Sequence, residues 1–182
     1  MTHMQRPITL LLFLVALSLT GWSQKYLAEK SVISFYSHAA MEDIQAENKK
    51  AVALFNASTG EIVFSIPING FEFAKSLMQE HFNEKYMESD KFPKANFKGK
   101  ITGFDASASG AQKAKATGEM TIHGVTKSVE IPGTLEKSGD TLLLKAVFIV
   151  KLVDYNITIP HLFWKKIAEQ VEVTVDFVLK PE

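Results

Sequence analysis

The chain contains no cysteine. That absence removes disulfides, thiolate–zinc sites and cysteine nucleophiles, and with them the usual attachment point of a bacterial lipid anchor. There is no G-x-S-x-G elbow, no phosphate-cradling glycine loop and no H-x-H or H-E-x-x-H pairing. Clustered charge is missing too: 20 Lys and Arg balance 20 Asp and Glu, with no block of one sign. A nucleic-acid partner calls for a concentrated basic surface, so that class is set aside. No cofactor motif is present, and the sequence offers no constellation for an enzyme.

The first residues differ from the rest. Arg6 precedes an apolar run, 8–19, broken only by Thr9 and Ser18, and Gly21 and Ser23 are small residues spaced for cleavage after Ser23. This is the layout of a secretory signal peptide, and the run is short for the ~20 apolar residues of a membrane span. We therefore expect a signal peptide at 1–23, a single domain at 24–182 and no stable membrane span after cleavage. Arg6 is the only charged residue of that leader, so the mature charge is 19 − 20 = −1. Without disulfides, about 160 residues must be stabilised by their own core, which is enough chain for one.

Beyond the leader, period-two patterning dominates. One face carries Ile33 and Phe35; another Ile62, Phe64, Ile66 and Ile68; a third Phe97, Gly99 and Ile101. Near the C-terminus the rows are Leu142, Leu144, Ala146, Phe148, Val150 and Leu152, then Val171, Val173, Val175, Phe177 and Leu179. Such alternation marks strands with one apolar and one wet face, the habit of antiparallel sheets. Turn signals at Gly60, Asn69-Gly70 and Gly139 separate them, which argues a β-sandwich or a barrel. Pro67 has no N–H to donate, so its strand is expected at an edge or bulge there. One stretch, 74–87, breaks the pattern: Met78, Phe82 and Tyr86 recur every four residues, as on a single amphipathic helix. Segment 161–169 reads as either a helical turn or a crossing loop.

His123 is the most conspicuous polar candidate. It precedes Gly124 between two alternating runs, where glycine supplies a positive φ and histidine tolerates one. The expectation is a hairpin corner with an exposed imidazole. The other histidines of the mature chain, His38, His81 and His161, form no ligand spacing with it, so no metal site is expected. Asp90 and Asp154 read as turn or helix-end acids. The thirteen phenylalanines and the aliphatic rows are the stronger signal. An eight-stranded barrel is either packed solid or holds one small ligand, and periodicity does not distinguish the two.

Two motifs narrow the choice. Asp90, Phe92, Pro93 and Phe97, followed by Gly118, Thr121, Ile122, Gly124, Val125, Thr126 and Lys127, resemble the paired segments of the YceI-like family. Met120 stands where leucine is usual, and the segment beginning at His161 is longer than the family's usual turn. The resemblance runs from about residue 26 to the end. It implies an all-β fold: an eight-stranded antiparallel, lipocalin-like barrel with one short amphipathic helix. It also implies an exported protein that holds a long apolar molecule, an isoprenoid or fatty-acyl chain, without catalysis. On that basis the candidate lining is Ile62, Phe64, Ile66, Phe97, Ile101, Met120, Leu144, Phe148, Val173, Val175 and Phe177. Met78, Phe82 and Tyr86 are the candidate lid, with a permanent plug as the other possibility. The competing functions are a filled barrel acting through its surface and an enzyme acting on the same apolar molecules. The leader and the missing anchor cysteine point to the periplasm.

Overall fold

The structure, a computed structural model, describes residues 25–39, 43–159 and 168–182. The expected signal peptide and the segment 161–167, with His161, lie outside the described residues.

The described residues form ten strands: β1 (Lys25–His38), β2 (Asp43–Asn48), β3 (Val52–Asn56), β4 (Glu61–Pro67), β5 (Phe71–Phe73), β6 (Lys94–Thr102), β7 (Gly110–Ile122), β8 (Val125–Ser138), β9 (Thr141–Lys151) and β10 (Gln170–Pro181). All pairings are antiparallel. β3, β4 and β6–β10 follow in order around a barrel that β1 closes, bonding β10 on one side and the end of β3 on the other. Closure leaves eight strands without a free edge. The far half of β1, Ile33 to His38, continues past β3 and pairs β2, which pairs β5. Two extra strands thus extend one end of the wall.

Alternation sets the inside and outside of each strand. On β1 the inward set changes phase. A bulge between Ala28 and Lys30 inserts one residue, so Tyr26 and Ala28 face in before it and Ser31, Ile33, Phe35 and Ser37 after it. The edge expectation for Pro67 is met only locally. β4 is an interior strand, but its pairing with β3 ends at Ser65, opposite Val52, so Pro67 has β6 alone beside it. A 3₁₀ turn, Ile68–Gly70, follows immediately, and fully buried Asn48 ties it down by donating to the Pro67 carbonyl at 2.8 Å.

The helix is shorter and less regular than residues 74–87 suggest. Helix α1 (Ser76–His81) passes into a wider π turn, Phe82–Tyr86, whose Met87 N–H donates to the Phe82 carbonyl at 2.9 Å. A residue added to the turn lets Tyr86 and Met87 both reach the barrel interior.

An apolar cavity at one end of the barrel

Following the inward rows from end to end shows a barrel that is hollow at one end and solid at the other. Along β10, Val171 and Val173 line a cavity of about 460 Å3, while Phe177 and Leu179 are fully buried beyond it. Along β9, Val150 and Phe148 line the cavity, and Leu144 and Leu142 lie beyond. Along β4 and the 3₁₀ turn that follows it, Ile66 and Ile68 line it, and Ile62 lies beyond. A second, much smaller void of about 40 Å3 sits in the solid half, against Ile62, Phe97, Ile101, Ile131, Leu135 and Leu144. Phe64, Phe148 and Val175 border both spaces. They are the floor.

The floor is aromatic because of how three strands converge. Phe64 on β4 is directly opposite Phe97 on β6, and their rings stack at 5.1 Å. Phe177 reaches across from β10 to meet Phe64 edge-on at 6.0 Å. The Phe97 ring has room because Gly99 and Gly118 are cross-strand partners. A Cβ on Gly99 would stand 2.7 Å from the Phe97 ring, and one on Gly118 2.3 Å from a backbone carbonyl.

The opposite end of the cavity is only partly covered, by α1 with its π turn. Phe82 enters an aromatic group with Phe35, Phe71 and Phe73 at centroid distances of 5.0–5.9 Å. Met78, His81 and Tyr86 also line the cavity, and burial raises the Tyr86 phenol pKa above its ordinary value. A knot of contacts around the β7–β8 turn adjoins the lining residues Met87 and Ile122 in the chain. His123 and Gly124 have φ of 50° and 75°, the left-handed pair of a two-residue hairpin. The turn is as expected; the exposed imidazole is not. The side chain is only 10% exposed. Nε2 lies 2.9 Å from the Glu88 carboxylate and Nδ1 3.1 Å from the Tyr155 carbonyl, and the ring packs edge-on against Phe92 at 4.6 Å. Residues far apart in sequence close over the imidazole, which no local pattern around His123 announces. Lys127 pairs with Asp154 at 3.1 Å, and Thr121 meets Thr126 at 2.8 Å across the hairpin. The motif residues thus pin the hairpin to the 3₁₀ turn Leu152–Tyr155.

Among the fourteen residues singled out from sequence, Phe64, Ile66, Met120, Phe148, Val173, Val175, Met78, Phe82 and Tyr86 border the main cavity. Ile62, Phe97, Ile101 and Leu144 border the small void, and Phe177 is solid core. Ile33, Phe35, Ile68, Val150 and Val171 line the cavity from the same alternating rows and could have been found by extending them. Phe71 and Phe73 sit on a strand too short to show a period, and Ile44 and Ile157 carry no local signal.

The cavity is overwhelmingly apolar. Its polar side chains are Ser37, Lys75, His81, Tyr86 and Asn96; no carboxylate lines it among the described residues. The Ser37 hydroxyl already accepts a bond from the Ala168 N–H at 3.1 Å. No group of three or more His, Asp or Glu suited to a metal occurs among the described residues. The lining suits contact with an apolar molecule.

Comparison with known proteins agrees with this architecture. The chain is similar to BcnA of Burkholderia cenocepacia, with 22% identity over 81% of this chain and 95% of that one, at a TM-score of 0.69. It is similar to a polyisoprenoid-binding domain from Saccharophagus degradans, with 15% identity over 87% and 99%, at a TM-score of 0.76. A YCEI protein from Campylobacter jejuni gives 16% over 80% and 88%, at 0.60. At these identities the likeness shows the fold. No curated protein matches significantly. The YceI-like domain model matches residues 25–179, nearly the whole described chain, and the protein therefore belongs to the YceI-like family.

Proposed function

We propose that the protein binds a long apolar molecule in the barrel cavity and carries or sequesters it in the periplasm without transforming it. The observation that carries this reading is the cavity itself. The cavity of about 460 Å3 has an almost wholly apolar lining, which favours hydrocarbon over water. Each CH₂ removed from water contributes ~0.8 kcal/mol, so aliphatic and aromatic walls suffice for binding. Lys75, His81 and Tyr86 supply the polar contacts that orient a head group. A relative that binds a polyisoprenoid supports the same ligand class. The absence of a lining carboxylate and the engaged Ser37 hydroxyl support binding over catalysis.

The leader at 1–23 supports export. Purified protein extracted with organic solvent is expected to release a stoichiometric apolar compound detectable by mass spectrometry. Protein stripped of it should rebind a fatty acid or an isoprenoid. Failure of both would leave the filled-barrel, surface-acting function in its place. Cell fractionation tests the location, and recovery in the cytoplasm at full length would refute export.

A further inference from the structure

Accepting that the cavity holds a hydrocarbon chain, we infer that this barrel measures chain length: the Phe64 floor limits the buried ligand to about fifteen carbons. A methylene takes up about as much space as the ~30 Å3 of a liquid water, so about 460 Å3 accommodates about fifteen such units. The chain cannot go further. Phe64 lies against Phe97 at 5.1 Å and against Phe177 at 6.0 Å, and the space beyond them is about 40 Å3, little more than one carbon. An isoprenoid more than twice that length does not fit inside; its surplus must remain in water at the open end. The class selected is a single-chain lipid of ordinary fatty-acyl length.

The test is a series of straight-chain fatty acids, from about eight to about twenty-four carbons, titrated against delipidated full-length protein by displacement of a fluorescent acyl probe. Affinity is expected to rise by up to about fourfold per CH₂, the factor equivalent to ~0.8 kcal/mol, until about fifteen carbons and then to level off. Phe64→Ala joins the two spaces and is expected to move that break to longer chains by several carbons. Val173→Phe adds a ring above the floor and is expected to move it to shorter chains, which keeps the test informative if Phe64→Ala does not fold. Continued tightening beyond about twenty carbons in the wild type overturns the inference, as does a break that moves with neither substitution. If no chain of any length binds, the ligand-binding reading fails and the ruler fails with it.

Discussion

The two ends of the barrel share the same strands and the same alternation, yet one end is packed solid and the other is hollow. On β10, Phe177 and Val173 lie on the same inward face, one turn of the pattern apart from Val175 on either side. Phe177 is fully buried and meets Phe64, whereas Val173 borders open space. The difference comes from what the opposite wall contributes. At the solid end Phe55, Phe97 and Phe177 are fully buried in one core with Leu135, Leu142 and Leu179. At the hollow end β4, β6 and β10 carry isoleucine, alanine and valine, and the rings present there, Phe35, Phe71, Phe73 and Phe82, pack against one another. The extra strands β2 and β5 extend that end, and β5 adds Phe71 and Phe73 to its lining.

The sharpest way to break this comparison is to truncate both positions. Phe177→Ala is expected to lower unfolding free energy by about 3–5 kcal/mol in urea titrations, because a packed site cannot collapse around the lost ring. Val173→Ala is expected to cost about 1 kcal/mol or less in ligand-free protein, since its methyls face a space already open. Equal losses would mean that the hollow end closes when empty.

A charge at the boundary comes next. Phe148→Asp is expected to cost about 2–4 kcal/mol at neutral pH and to weaken acyl-chain binding more than tenfold, because the carboxylate loses its hydration inside an apolar wall. Burial raises the folded-state pKa of the introduced carboxyl. Its penalty should therefore ease as pH falls through that raised value. A variant as stable as the wild type would mean that this row faces water.

His123 tests how the hollow end is held. The imidazole contacts two oxygens that only accept, the Glu88 carboxylate and the Tyr155 carbonyl. Asparagine retains the left-handed turn but does not span both. His123→Asn is therefore expected to cost about 1–2 kcal/mol, from loss of the contacts with the half-exposed Glu88 carboxylate and the Tyr155 carbonyl, measured by thermal or urea unfolding. No change would restore the simple exposed-corner picture that the local sequence suggests.

The smallest effect concerns α1. None of its residues, nor of its π turn, is fully buried, and Leu77 is 59% exposed. A movable cover predicts that amides from Leu77 to Tyr86 exchange rapidly in delipidated protein and slow on addition of a fatty acid. Equal, strong protection in both states would make the helix a permanent plug.

Much of this was legible in the residues. Rows such as Ile62, Phe64, Ile66 and Ile68 have period two, and in an antiparallel barrel that period alone assigns inside and outside. The His123-Gly124 turn was equally plain, because few residue pairs accept two positive φ angles in succession. The β1 bulge was not visible: Glu29 interrupts no apolar run, and only pairing with β10 reveals the extra residue. Nor was the π turn, since the Met78, Phe82 and Tyr86 spacing fits an ordinary helix equally well.

The sequence by itself determined which side chains face inward, where the strands turn, and, through its paired motifs, the family. Those are local properties: alternation, turn conformations and short-range spacing. Only the tertiary structure decided that Phe64, Phe97 and Phe177 meet, that Ile62 and Ile66 fall on opposite sides of that meeting point, and that Glu88 and Tyr155 close on His123. Whether an inward residue lines a cavity or fills a core depends on the length of the side chains facing it from strands distant in the chain, and strand periodicity does not encode that distance.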